Sequence, residues 1–384
     1  MDYQPQIRVL SIVGTRPEAI KMAPVIQALA QDRAFSSRVL ATAQHRHLLD
    51  QVLAIFGIQP DLDLDIMRPN QDLTALTARL LLALDEALAR EAPDLVLIQG
   101  DTTTVVTAAL GCFYRRIPFG HVEAGLRTGD LAIPFPEEMN RLVSGRLARW
   151  HFVPTESARQ NLLREGIDPA AIHVTGNIVI DALLSVSGRR PEIGIPLDPA
   201  KRLILVTAHR RENFGAPFRE ICMALLQLAQ ANPDIHILYP VHPNPNIQGP
   251  ARELLGGHPA ITLCPPLDYL PFVGAMQQAY LILSDSGGVQ EEAPALAKPV
   301  LVLRNETERP EAIEAGVCKL VGPNCARIVG EAQRLLDDPA AYRAMARGVS
   351  PYGDGHAAPR IIEVLKSWAG SGQIKEPVIP AASS

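Results

Sequence analysis

The feature that most constrains this chain is a repeated alternation. A short run of apolar and β-branched residues gives way to a Gly- or Pro-containing turn and then to a segment of helical periodicity. Such alternation implies parallel sheets covered by helices, an α/β fold. The first unit has its strand at 9–13, the turn Gly14-Thr15-Arg16-Pro17, and a helical stripe of Met22, Val25, Ile26 and Leu29. Pro17 suits the first helical position. Further buried strands are expected at 95–98, 119–122, 152–153, 203–206, 235–239, 281–283 and 300–303. They fall into two clusters, separated by a stretch at 185–202 rich in Gly, Pro and charge. A chain of 384 residues also exceeds what one hydrophobic core usually organises. We therefore expect two domains, 1–185 and 186–360, and a disordered polar tail at 371–384.

The formal net charge of −5 argues against non-specific binding to nucleic acid or an anionic membrane, so an anionic ligand must meet local positive charge. The start, Met-Asp-Tyr-Gln-Pro-Gln, lacks the basic region and apolar core of a secretory signal, and no apolar stretch spans a bilayer. A cytoplasmic protein is expected. Five widely spaced cysteines without a Cys-x-x-Cys pair read as buried thiols. His45-x-His47 and His242 lack a third ligand at a standard zinc spacing, and neither half holds Gly-x-Gly-x-x-Gly or a Walker-type Lys. Neither metal nor redox cofactor is expected.

In open parallel sheets ligands bind beyond the carboxyl ends of the strands, so polar residues directly after the apolar runs have the strongest claim to function. Arg16 and Lys21 follow the first run, Gly100-Asp101-Thr102-Thr103-Thr104 the second, and Glu123-Ala124-Gly125-Leu126-Arg127 the third. Asp101 reads equally as a helix N-cap or a catalytic carboxylate. Glu123 precedes a Gly-containing loop with no obvious helix to cap, which favours function. Pro136-Glu137-Glu138 opens a helix with the stripe Met139, Leu142, Val143 and Leu147, and one of its two carboxylates is expected only to complement the helix dipole. In the second half, His209, Arg210 and Arg211 follow a strand where an anion could sit. Ser286-Gly287-Gly288 makes a strand-to-helix turn whose backbone N–H groups could approach a diphosphate, with Glu292 one turn on.

Together these motifs, with Gln44-His45-Arg46, Glu308-Arg309-Pro310-Glu311-Ala312 and Tyr352-Gly353-Asp354-Gly355, resemble the non-hydrolysing UDP-N-acetylglucosamine 2-epimerases, in order and up to about residue 368. The resemblance implies a glycosyltransferase-B type fold. Two Rossmann-like domains have a cleft between them for the sugar nucleotide, and a helix at 361–370 returns to the first domain. It also implies a homodimer that interconverts UDP-N-acetylglucosamine and UDP-N-acetylmannosamine, a precursor of cell-surface polysaccharide. UDP would leave by elimination, giving 2-acetamidoglucal, and then add back. By matching motifs, Asp101, Glu123, Glu137, His209 and Lys21 would be catalytic, and Arg16, Ser286, Gly287, Gly288, Glu292 and Arg309 would bind substrate. Gln44, Gln71, Arg210 and His242 match positions where some bacterial members bind a second substrate molecule as activator. The Arg that precedes that Gln in such members is Asn70 here, which counts against activation.

A hydrolysing epimerase, a glycosyltransferase of the same architecture and a non-catalytic nucleotide-sugar sensor are the alternatives. A transferase needs an acceptor site, and a sensor does not need three acidic residues at strand ends.

Overall fold

The computed structural model describes residues 6–42, 46–68 and 71–370, so Gln44, His45, Asn70 and the 371–384 tail lie outside the described residues. The chain forms two compact units, Met1–Ala182 with Gly355–Ser384 and Leu183–Asp354. The helix Ile178–Ser187 runs across the point of division, so the chain passes between units inside a helix rather than within the polar stretch that follows it.

The first unit holds seven strands: β1 (Ile7–Val13), β2 (Phe35–Ala41), β3 (Leu62–Asp63), β4 (Leu95–Gln99), β5 (Phe119–Val122), β6 (Trp150–Val153) and β7 (Ile172–Val174). All pair in parallel in the order β3-β2-β1-β4-β5-β6-β7. The second holds β8 (Arg202–Thr207), β9 (Ile235–Pro240), β10 (Ile261–Cys264), β11 (Ala279–Ser284), β12 (Val300–Val302) and β13 (Cys318–Leu320), parallel in the order β10-β9-β8-β11-β12-β13. Both are doubly wound sheets, and in each the strand order reverses once, between β1 and β4 and between β8 and β11. Crevices that take ligands form at such reversals.

Parallel strands covered on both faces read as continuous apolar runs because both sets of side chains are buried. Leu10, Ile12, Val96, Ile98 and Phe119 pack with Leu80, Leu84 and Val105 from the covering helices. In the second unit Ile204, Val206, Ile237, Leu281 and Leu283 pack with Phe218, Leu225, Ile328 and Leu335. The stripe Met22, Val25, Ile26 and Leu29 is buried as expected on the helix Arg16–Gln31, although that helix starts at Arg16 and puts Pro17 second.

Two sequence expectations need correction. The helix Glu137–Leu147 buries Glu138, Asn140, Ser144 and Gly145, while Met139 is exposed and Leu142, Val143 and Leu147 are only partly covered. Its inner face meets loop backbone that needs hydrogen-bond partners, and a polar side supplies them. Among the cysteines, Cys112, Cys222 and Cys318 are buried, but Cys264 and Cys325 are partly exposed.

The helix Ala357–Gly370 belongs to the first unit. Asp181 accepts the backbone N–H groups of Ala357 (3.2 Å) and Ala358 (2.8 Å) at its start, where a carboxylate complements the helix dipole. Arg360 donates to the Thr175 carbonyl (2.9 Å), and Trp368 meets Trp150 edge to face (5.1 Å between centroids).

Candidate functional site

In the first unit the loops after β1, β4 and β5 converge on a network of charge. Thr15 and Glu18 close a reciprocal cap on the helix Arg16–Gln31. Glu18 accepts the N–H groups of Gly14 (2.6 Å) and Thr15 (2.9 Å), while the Thr15 hydroxyl accepts that of Glu18 (3.4 Å). Thr102 donates to the same carboxylate at 2.6 Å, so Glu18 ties the loop after β1 to the loop after β4. Burial pushes the Glu18 carboxyl up to about 7, against the pull of these donors. Arg16 is thereby fixed at the first position of its helix.

Glu123 leaves β5 with φ +61°, the left-handed region that non-glycine residues enter at a cost of about 1–3 kcal/mol. Its buried carboxylate receives Lys21 Nζ on both oxygens at 2.7 Å, Asn177 Nδ2 at 3.1 Å and Gln99 Nε2. These contacts hold a strained backbone so that one carboxylate and one ammonium meet. His121, two residues earlier, donates its Nε2–H to the Gly100 carbonyl (2.7 Å). Burial lowers its pKa to about 4, so the ring is neutral at pH 7.

Asp101 is not the helix cap. The helix begins at Thr103 with Thr102 at its N-cap, and Asp101 Oδ2 instead takes Nε (2.9 Å) and Nη2 (2.7 Å) of Arg141. Asp101 Oδ1 makes no hydrogen bond with a described residue. Of the two carboxylates that open the helix Glu137–Leu147, Glu138 is the structural one. It is buried and accepts from Thr128 N (3.1 Å), Gly129 N (3.0 Å) and Arg141 Nη1 (3.1 Å). Glu137 is half-buried, and its carboxylate has neither hydrogen bond nor ion pair with a described residue. Asn140 on the same helix donates to the Asp101 carbonyl at 2.8 Å, joining the Asp101 loop to the helix that Glu137 opens.

In the second unit His209 follows β8 and Asp285 follows the neighbouring β11. The next helix, Gly287–Ala295, starts without a side-chain cap: Ser286 stands at the N-cap and makes no capping bond. Neither Gly287 nor Gly288 has a positive φ, and a Cβ added to either would meet nothing nearer than 3.8 Å. The protein's own packing therefore does not require glycine here, and no side chain caps the N–H groups of this helix start, the kind of position at which anions bind. Glu292 is buried on this helix, and Arg309 pairs with the adjacent Glu291. Arg210 lies beside Gly287, and the His242 ring stacks on His209 at 5.7 Å. Gln71, in the first unit, bonds to Arg79 and Met67. Among the described residues no three His, Cys, Asp or Glu gather as a metal-ligand group, and no helix is long and apolar enough to cross a membrane.

The model of the family described as UDP-N-acetylglucosamine 2-epimerase matches residues 27–366. The chain belongs to the UDP-N-acetylglucosamine 2-epimerase family. It is thus an enzyme of the 2-epimerase class. It is 56% identical to the UDP-N-acetylglucosamine 2-epimerase of Yersinia pestis over 94% of this chain and 99% of that one. The corresponding protein of Escherichia coli K12 is 55% identical at the same coverage. Among solved structures, a UDP-GlcNAc 2-epimerase from Neisseria meningitidis bound to UDP-GlcNAc has a TM-score of 0.85 and 46% identity, covering 94% of this chain and 100% of that one. A glycosyltransferase at 13% identity and TM-score 0.63 shares the fold, which is of the glycosyltransferase-B type.

Proposed function

We propose that the chain interconverts UDP-N-acetylglucosamine and its C2 epimer by eliminating and re-adding UDP. The C2 proton goes to a carboxylate and its bonding pair becomes the C1–C2 double bond of 2-acetamidoglucal. The C1–O bond breaks, and UDP leaves with the electron pair of that bond. A proton then returns to C2 from the opposite face, and the diphosphate oxygen re-forms its bond to C1. A C2 hydrogen without an adjacent carbonyl is barely acidic, so the charge developing on the leaving diphosphate needs fixed donors. Arg16, His209 and the Ser286-Gly287-Gly288 turn take that role in this reading. Glu292 holds the ribose, and Arg309 assists binding.

Inversion needs proton handling on both faces, hence more than one acid or base. The reading gives this to Asp101, Glu123 and Glu137, with Lys21 paired to Glu123. The observation that carries it is Glu123 itself, a buried carboxylate at φ +61° clasped by Lys21, since strain of that kind persists where the surroundings are built to hold it. We further propose a cytoplasmic homodimer, for which the exposed Leu82, Phe113 and Tyr114 on two adjacent helices of the first unit supply apolar surface. Its product would feed cell-surface polysaccharide.

Proton NMR of UDP-N-acetylglucosamine with the enzyme in deuterium oxide tests the reaction. The C2 epimer should appear with deuterium at C2. Retention of the original hydrogen would exclude the elimination route, and free sugar would indicate hydrolysis. Sedimentation as a monomer at micromolar concentration would exclude the dimer.

A further inference from the structure

Three adjacent strand ends in the second unit line up His242 after β9, His209 after β8 and Asp285 after β11. Asp285 is fully buried and its two oxygens are used unequally. Oδ2 accepts the backbone N–H groups of His209 (2.8 Å) and Arg210 (2.8 Å) and Asn213 Nδ2 (3.0 Å). Oδ1 accepts no hydrogen bond and faces His209 Nδ1 at 3.5 Å. A buried carboxylate oxygen without a donor is costly, whereas the same oxygen facing an N–H is satisfied. The register that pairs Ser284 with Thr207, reinforced by the 2.6 Å bond between their hydroxyls, fixes the two strand ends and so the spacing of the pair.

We propose that Asp285 is a positioning residue for His209. It holds the imidazole in the tautomer with hydrogen on Nδ1 and leaves Nε2 as the atom presented outward. This rests on the reading that His209 contacts the departing diphosphate, and it specifies which ring atom does so. Asp285 also supplies the anion against which an imidazolium can form, so that Nε2–H can donate to a developing phosphate charge. The groups facing His209 are Asp285, Arg210 and His242. Burial lowers its pKa, Arg210 and His242 lower it further, and Asp285 alone raises it.

Asp285→Asn is the discriminating variant. The amide oxygen can replace Oδ2 as acceptor of the three N–H donors, but its NH2 then faces Nδ1, favours hydrogen on Nε2, and no longer supplies the anion against which the imidazolium forms. With 15N-histidine-labelled full-length protein at pH 8, long-range proton–nitrogen correlation should show the Nδ1–H form for His209, assigned by its loss in His209→Gln. Asp285→Asn should switch the tautomer, lower the titration midpoint of His209 and reduce kcat about 10²-fold or more, with UDP affinity changed only a few-fold.

A wild-type ring protonated at Nε2 would overturn the inference, and that measurement stands even if the variant fails to fold. So would a folded Asp285→Asn variant with unchanged tautomer and midpoint. Turnover separates the two readings: loss in His209→Gln with none in Asp285→Asn overturns only the role of Asp285. No loss in either removes His209 from the proposed reaction as well.

Discussion

The two units share one strand order, with β7 of the first as an extra edge, and put it to different electrostatic use. Around the reversal between β1 and β4, the first unit answers its own charges: Lys21 clasps Glu123, Arg141 clasps Asp101, and Glu18 takes the N–H groups that open a helix. Around the reversal between β8 and β11, the second unit leaves a helix start uncapped and spends the buried carboxylate of Asp285 on the backbone of the neighbouring loop. The first arrangement presents carboxylates already paired with cations, the setting in which the proposed proton transfers would run. The second suits a ligand that brings its own negative charge. Topology fixes where a crevice opens, and the residues at the strand ends decide what it can do.

The comparison breaks most readily at the first unit's carboxylates. Glu123→Gln, Asp101→Asn and Glu137→Gln keep size while removing charge, and each should lower turnover by about 10²–10⁴ with UDP binding retained. Near-normal turnover in all three folded variants would leave the network a scaffold.

A pH effect of about 3 kcal/mol comes next. His151 is buried, and burial lowers its pKa to about 3, so the unfolded chain binds a proton there that the folded chain refuses. Stability from this group is therefore present above about pH 6.5 and lost as pH falls toward 4. Denaturant titrations of His151→Gln should show a shallower loss over that window by roughly this amount, and an identical slope would contradict it.

Glu138→Gln should cost about 1–3 kcal/mol, because the buried carboxylate accepts two backbone N–H groups and an Arg. Turnover per folded molecule should stay near normal, which would separate Glu138 from Glu137 as scaffold from chemistry. A turnover loss as large as that of Glu137→Gln would merge them.

The smallest effect sharpens the second unit's side. Gly287→Val should raise the Kd for UDP about tenfold, roughly 1.4 kcal/mol, while barely moving the melting temperature. Its new Cβ would stand in ordinary contact, 3.8 Å from the nearest protein atom, Nη2 of Arg210. Unchanged affinity in calorimetry would remove the turn from the diphosphate site.

Legibility in the sequence followed burial. The strands read from apolar runs are interior to their sheets, whereas β3, β7, β10 and β13, all four sheet edges, escaped notice along with β2. Edges are short and half-solvated, so their apolar pattern is diluted, and β2 is interrupted after Phe35 by the polar Ser36, Ser37 and Arg38. The strand-end acids and the Gly turn were legible because type and position coincide. Their partners were not: Gln99, Arg141 and Asn177 come from elements far along the chain, and no spacing rule reaches from Glu123 to Asn177. Glu18 stands three positions after Thr15, the spacing of a capping box, yet was not read as one, and its link to Thr102 and its shifted protonation needed burial to appear.

The helix Ala357–Gly370 has a consequence for biosynthesis. Its carboxylate cap, Asp181, emerges from the ribosome before the whole of the second unit, and the N–H groups it caps emerge after it. The first unit thus waits, during synthesis, with Trp150 and Asp181 lacking their final partners, until its last helix arrives to cover them. Entropy alone makes that wait inexpensive, since closing a longer loop adds only about 0.6 kcal/mol per doubling of length. Its hazard is exposure: a chain stalled or cleaved before Ala357 would present an unfinished apolar face for as long as it lasted, a natural foothold for chaperones and for aggregation alike.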